Sequence, residues 1–141
     1  MKEVKRMAAE LIKSEADGTL SFGDYTLAEK KKQDDFVSNN ATYKVKTYNE
    51  ITRLERDGEL VYESVPGTRV TGLKRQDDGL SFKTEGNDDA QITVGVEPET
   101  SYDVKVAGTS IGVMASNLGG KLSFGVELQG AGTVAVEVRK A

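Results

Sequence analysis

The side chains that most often perform catalysis are missing from this chain. Its 141 residues include no His and no Cys. His is the commonest general base and the commonest protein ligand of metal ions. Ser-His and Cys-His catalytic pairs are therefore excluded, and so are disulfides and thiol chemistry. We expect no metal site, no cofactor and no enzymatic activity.

Carboxylates are the remaining candidates for chemistry, and two acidic turns are the first places to look. Asp77-Asp78 and Asn87-Asp88-Asp89 carry oxygen ligands of the kind that Ca²⁺ prefers. They bracket one predicted strand, Leu80 to Glu85, and a rise of about 3.3 Å per residue separates its ends by roughly 20 Å. The two turns therefore do not share an ion. A glycosidase with two carboxylates across a sugar bond is the weakest alternative, because no acid is forced into an apolar setting.

Tyrosines support a second alternative, a carbohydrate-binding surface. The chain has five Tyr and no Trp. Tyr48 and Tyr62 are predicted to be at least partly exposed, so a sugar ring could stack on them. With Arg53, which the hairpin below places opposite Tyr62, they form the candidate ligand-binding set. The other three are in phase with apolar neighbours and are predicted to lie in the core: Tyr25, Tyr43 and Tyr102.

Charge and hydropathy restrict the partners. The net charge is −4 with both signs interspersed, whereas a nucleic-acid-binding protein is expected to have a basic face. No apolar run is long enough to cross a bilayer. The first residues, Met1 to Met7, lack the apolar core of a signal peptide, and with the absence of Cys this predicts a cytoplasmic location.

The elements that would position these residues are strands. In Gln91–Val106 apolar residues alternate with polar ones on both sides of Glu97-Pro-Glu-Thr100, which predicts two neighbouring antiparallel strands. Asp57-Gly58 is the strongest hairpin signal in the chain. A two-residue turn there pairs Arg56 with Glu59, Leu54 with Val61, and Arg53 with Tyr62.

Only one segment has a strong helical pattern. Its apolar residues fall at helical spacing between Met1 and Ser14, which predicts a short amphipathic helix docked on the sheet. Two further segments complete the N-terminal part. Leu20-Ser-Phe22 and Tyr25-Thr-Leu27 flank Gly23-Asp24 and are predicted to form a hairpin. The charged run Glu29 to Asp35 is predicted to be a solvated strand end or loop.

Roughly eleven short strands separated by turns predict an all-β fold. The architecture is an antiparallel β-sandwich or two stacked small β subdomains, with the N-terminal helix added. The predicted division is a helix at 1–16, an N-terminal β subdomain at 17–97 and a C-terminal β meander at 98–141. One continuous domain at 17–141 is the alternative. Four C-terminal strands are too few to enclose a core, so they must pack on the other strands or on another copy of the chain.

The chain also resembles a group of short bacterial proteins of similar length, some of which carry an endosialidase label. The resemblance covers nearly the whole chain and rests on these segments: Ser14-Glu-Ala-Asp-Gly-Thr-Leu-Ser-Phe-Gly-Asp-Tyr25, Tyr43-Lys-Val-Lys-Thr47, Val61-Tyr-Glu-Ser-Val-Pro-Gly-Thr68, Gln91-Ile-Thr93 and Glu97-Pro-Glu-Thr100. The label implies a glycosidase of endosialidase type. The residues themselves favour a non-catalytic β protein that acts as an assembly or interaction module, with self-association as the expected partner and carbohydrate binding as the alternative.

Overall fold

The computed structural model describes residues 11–141, which form strands and turns with no helix among them. Thirteen strands lie in the described residues, and their bounds are as follows: β1 Ile12–Ser14, β2 Leu20–Phe22, β3 Lys31–Ser38, β4 Ala41–Tyr48, β5 Ile51–Arg56, β6 Glu59–Val65, β7 Arg69–Gln76, β8 Gly79–Glu85, β9 Ala90–Gly95, β10 Ser101–Val106, β11 Thr109–Ala115, β12 Lys121–Val126 and β13 Val134–Lys140. The predicted all-β class is confirmed.

The strands form two antiparallel sheets. One has seven strands in the order β1-β2-β7-β8-β13-β10-β11, and the other has six in the order β12-β9-β6-β5-β4-β3. Apolar side chains at alternate positions of both sheets are buried in a single cluster. Period-2 alternation produces this result, because it directs every second side chain of a strand to the same face.

Tyr62 lies at the centre of that core. Its ring contacts Phe22 and Phe82 of the opposite sheet, with ring centroids 5.4 Å and 5.3 Å away and interplanar angles of 76° and 87°. These edge-to-face contacts are the arrangement that aromatic rings prefer. They join the two sheets directly, so the inner faces pack against each other.

Part of the N-terminal prediction falls outside the described residues. The helix expected over Met1–Ser14 lies mainly in residues 1–10, which are not described. Its last residues do not continue a helix, because Ile12–Ser14 is β1 and pairs with β2. Leu11 and Ile12 are buried in the core of the sheets.

Two other local predictions are wrong, and a third is made more specific. Residues 25–27 form no strand, because the chain leaves one sheet after β2 and crosses to the other before β3. The charged run, predicted to be a solvated strand end or loop, lies mostly in β3, an edge strand whose charged side chains remain in solvent. β9 and β10 do not pair with each other, because residues 96–100 carry the chain from the six-stranded sheet to the seven-stranded sheet.

The Asp57-Gly58 hairpin is confirmed, but its predicted register holds only beside the turn. Arg56 pairs with Glu59, whereas Leu54 pairs with Tyr62 because a bulge adds Val61 to β6. A single extra residue directs every later side chain of that strand to the opposite face. The bulge therefore turns Tyr62 into the core.

The last four strands do not form a separate meander. β12 extends the six-stranded sheet beside β9, whereas β13 lies between β8 and β10 in the seven-stranded sheet. Their buried residues belong to the same cluster as those of the earlier strands. Residues 98–141 are thus part of both sheets, and they complete a core that the earlier strands share.

Candidate functional site

The structure separates Tyr62 from the other two residues predicted to bind a ligand. Tyr48 is half-buried, and Arg53 is about one-third exposed, at 35 % of its side-chain surface. Both lie on the outer face of the six-stranded sheet, since their neighbours Thr47 and Thr52 point inwards. Tyr62 has an exposed fraction of 0 %. The prediction that Tyr62 is partly exposed is therefore wrong, and its ring has no face left for a sugar.

Tyr62 instead belongs to a buried hydroxyl network. Its phenol oxygen lies 2.7 Å from Oγ1 of Thr68 and 3.3 Å from Oγ1 of Thr84. Ser64 Oγ lies 2.8 Å from Thr68 Oγ1, and all four side chains are almost completely inaccessible to solvent. Burial raises the pKa of the Tyr62 phenol, because the phenolate would lose its hydration. The network stabilises the core and cannot reach a ligand.

The outer-face pair of Tyr48 and Arg53 is already occupied by protein partners. The Tyr48 hydroxyl donates a hydrogen bond to Glu50 at 3.2 Å. Arg53 donates to Glu55 at 2.9 Å and also forms an ion pair with Glu63. These carboxylates raise the pKa of the Arg53 guanidinium. The guanidinium is thus neutralised locally by two acids.

Of the three tyrosines predicted to lie in the core, two are buried and one is not. Tyr43 and Tyr102 are buried in the core, as predicted. Tyr25 is only half-buried, and its hydroxyl donates a hydrogen bond to Glu85 at 3.0 Å. Desolvation and this carboxylate raise the pKa of Tyr25.

The acidic turns have structural partners. Asp89 accepts hydrogen bonds from the backbone N–H groups of Leu128 and Gln129, at 3.0 and 3.2 Å. Asp78 accepts a bond from Arg139 at 3.2 Å. Within residues 11–141 no three acidic side chains converge in a way that could hold a metal ion. Nor does any helix in this part of the chain have the length and apolar character needed to cross a membrane.

The two lateral sides of the paired sheets differ sharply. One side is formed by β1 and β3, the end strands of the two sheets, which contact each other. Ser14 Oγ and Ser38 Oγ lie 2.7 Å apart across this side. β3 carries two lysines and two aspartates and contains a bulge near Gln33. Charges and bulges are common means of keeping an edge strand from pairing with another chain.

On the other side, formed by β11 and β12, the end strand β11 also has a bulge, at Ile111, but it carries no charged residue. Residues 106–120 contain no charged residue and no Pro, although 30 % of the chain is charged. Within this segment Ile111 is 45 % exposed, Val113 63 % and Leu118 79 %. Apolar side chains therefore stand in solvent along a sheet edge, where they expose a surface suited to pairing. We call β11 and its flanking residues, 106–120, the uncharged edge.

The hydrogen-bonding groups of the uncharged edge can be assigned from its partner strand. The N–H of Ser116 donates to the carbonyl of Thr100 at 2.9 Å, and Met114 pairs with Tyr102. Antiparallel pairing alternates between residues that bond to the neighbour and residues that do not. The N–H and C=O groups of Val113 and Ala115 therefore point away from β10, towards solvent.

The uncharged edge was not predicted from the sequence. The signal that identifies it is the long interval between Lys105 and Lys121 without any charge. That interval alternates like the other strands, so periodicity does not distinguish an edge strand from a central one. Only the strand order shows that β11 is the last strand of its sheet.

The fold and its surfaces define a class of protein, an all-β protein of two packed antiparallel sheets. No protein-family model, no curated protein and no solved structure matches this chain. The resemblance to endosialidase-labelled proteins therefore stays a prediction.

Proposed function

We propose that this protein is a non-catalytic assembly module that pairs with a second copy of itself through the uncharged edge. The observation that carries the proposal is the contrast between its two sides. One side has a charged edge strand, whereas the other presents exposed Ile111 and Val113 on an edge without charges. An edge strand without charges forms main-chain hydrogen bonds with another strand more readily than a charged one does.

A second copy of the chain suits this edge because an uncharged strand is compatible with itself. Like charges directly opposite each other destabilise a strand pair, and the chain as a whole carries a net charge of −4. The uncharged edge can approach its own copy without such opposition. A two-fold axis beside Val113 would set the two copies of Val113 opposite each other, which is a favourable β-branched pair.

The same contrast limits the size of the assembly. Pairing of β11 with its copy would join two seven-stranded sheets and remove both uncharged edges from solvent. The outer ends of the combined sheet would then be formed by β1, which has only three residues and lies against β3. Short and covered edge strands pair poorly with further chains. We therefore propose a closed dimer.

Two matched lysine substitutions test the proposal. Val113→Lys places two ammonium groups opposite each other at the proposed two-fold axis, whereas Val37→Lys adds the same charge on the opposite side. Val37 is a good control because it is also an exposed valine on an edge strand, at 70 % exposure compared with 63 % for Val113. Light scattering coupled to size exclusion should give a dimer for the wild type and for Val37→Lys, and a monomer for Val113→Lys.

Folding has to be checked separately from assembly. Both variants should keep the wild-type circular dichroism spectrum, since each changes an exposed side chain. Amide exchange supplies a second measurement, because the N–H of Val113 should become slower to exchange as the protein concentration rises. A wild-type protein that is monomeric at high micromolar concentration, or a Val113→Lys variant that stays a dimer, would contradict the proposal.

The other functions considered have less support. Of the two tyrosines proposed to stack on a sugar, only Tyr48 remains accessible, since Tyr62 is fully buried. A glycosidase needs a carboxyl group that keeps its proton near neutral pH. Asp17 lines a surface depression of about 690 Å³ together with Glu15 and Glu137, but hydrogen bonds from Thr19 lower its pKa. An ionised carboxylate of this kind does not serve as a general acid.

A further inference from the structure

A groove of about 520 Å³ opens at one end of the paired sheets. It lies between the β1–β2 turn, the β3–β4 turn and the ends of β5 and β7. Three cationic side chains and two acidic ones line it: Arg56, Lys74, Arg75, Asp17 and Asp77. Its volume falls in the range of small-molecule sites. The groove shares no lining residue with the uncharged edge, so it is independent of the proposed dimer.

Two of the arginines occupy positions that belong to the core by periodicity. Arg56 follows buried Leu54 at the next inward position of β5 and pairs with buried Tyr43. Arg75 pairs with buried Leu80 at the end of β7. Arg56 is half-buried and Arg75 is exposed, so both guanidinium groups are accessible to solvent where they line the groove. The groove is thus lined by guanidinium groups that approach from both sheets.

These guanidinium groups differ from two others in the protein. Arg53 and Arg139 each form an ion pair with a carboxylate, at 2.9 Å and 3.2 Å. Within residues 11–141 neither Arg56 nor Arg75 has a carboxylate oxygen within 4.0 Å. Their charges are therefore not neutralised by an acid of this part of the chain, although the protein as a whole is acidic.

The acids that line the groove do not remove this positive charge. Asp17 forms hydrogen bonds within its own turn, where its carboxylate accepts from the N–H and the hydroxyl of Thr19 at 3.0 and 2.7 Å. Those bonds lower the pKa of Asp17 and hold the carboxylate within the β1–β2 turn. Asp77 lies in the β7–β8 turn, at the other rim. Three cations against two carboxylates leave the groove positive.

We propose that this groove binds a small oxyanion, a carboxylate or a phosphate group, held by Arg56 and Arg75. A guanidinium group offers a planar pair of N–H donors that matches the two oxygens of either group. Lys74 contributes a third positive charge at the rim. The binding step is non-covalent, and it requires no other component than the ligand.

A titration followed by NMR tests this site on the full chain. The probes are sodium phosphate and sodium acetate, each added at constant ionic strength with sodium chloride as the balancing salt. The Nε–Hε signals of Arg56 and Arg75 should move in a saturable way at millimolar probe concentrations, while those of Arg53 and Arg139 stay in place. Saturation by phosphate alone would identify a phosphoryl ligand, and saturation by acetate alone a carboxylate.

Substitution provides the matched control. Arg75→Gln should weaken binding by about tenfold or more, because one charged hydrogen-bonding group is lost. Arg69→Gln removes the same charge from the opposite end of β7 and should leave the affinity unchanged. Dispersed backbone spectra would show that both variants are folded. Linear shifts without saturation, or equal shifts at Arg69 and Arg75, would overturn the site and leave the dimer proposal unaffected.

Discussion

Replacing Tyr62 by Phe removes one buried hydroxyl while the ring stays between Phe22 and Phe82. The hydroxyl bonds to Thr68 at 2.7 Å and to Thr84 at 3.3 Å. After the substitution Thr68 keeps its contact with Ser64 at 2.8 Å. Thr84 loses its one side-chain hydrogen bond within the described residues, and it stays buried.

The expected cost follows from these bonds. A neutral hydrogen bond contributes about 1 kcal/mol, and a buried hydroxyl left without a partner costs about 1–3 kcal/mol. One short bond is lost, and the longer one leaves Thr84 unsatisfied. We therefore expect Tyr62→Phe to lower the free energy of unfolding by about 2 kcal/mol, which corresponds to a fall in Tm of roughly 5–8 °C for a chain of this length.

Tyr48→Phe is the matched control, because it removes the same atom from the protein surface. The Tyr48 hydroxyl donates to Glu50 on the exposed side of the sheet, so we expect a change within about 0.5 kcal/mol. Urea unfolding at one fixed protein concentration measures both variants, since a dimer makes stability depend on concentration. Equal stabilities of the two variants would refute the burial of Tyr62, and with it the bulge that directs Tyr62 inwards.

Two further predictions concern the same core. Gly95→Ala should destabilise the fold by about 3 kcal/mol in urea unfolding, because the added Cβ would lie 2.1 Å from the backbone carbonyl oxygen of Leu60. Gly125→Ala on the neighbouring strand β12 should leave the free energy of unfolding unchanged, since the added Cβ would meet only a side-chain atom at 3.7 Å. An equal loss of stability in both variants would refute the pairing of β6 with β9. Because burial raises the pKa of Tyr62, the unfolded chain loses that proton first as the pH rises above 10. The free energy of unfolding should therefore fall by up to about 1.4 kcal/mol per pH unit more in the wild type than in Tyr62→Phe, which lacks the phenol. Equal pH dependence of the two proteins would contradict the burial of the phenol.

Local sequence signals were sufficient for much of the strand pattern. Alternation predicted the inward positions of β4, where Tyr43 and Val45 are buried, and Asp57-Gly58 predicted a hairpin with Arg56 opposite Glu59. These features depend on neighbours within a few residues, so the chain encodes them locally. A strand with charges on both faces was harder to recognise. β3 lacks alternation because it is an edge strand, exposed over most of its surface.

The orientation of Tyr62 and the groove lined by Arg56 and Arg75 could not be predicted from residues that are close together in the sequence. Val61 has no property that marks it as a bulge, and its extra position decides whether Tyr62 faces solvent or the core. Similarly, Arg56 and Arg75 are far apart in sequence, and only the packing of two sheets brings them to one groove. Contacts of this kind depend on loop closure and on the fit between sheets, which are properties of the whole chain.

The sequence by itself determined that the protein is made of antiparallel strands with one apolar face, and that chemistry based on His or Cys is absent. Composition and alternation are sufficient for both conclusions, because each depends on residue type and on the two-residue period of a strand. Only the tertiary structure decided which strand lies at an edge, since that depends on strand order. An uncharged segment is open to pairing with another chain only when it lies at a sheet edge, and among residues 11–141 the strand order places β11 at the end of its sheet.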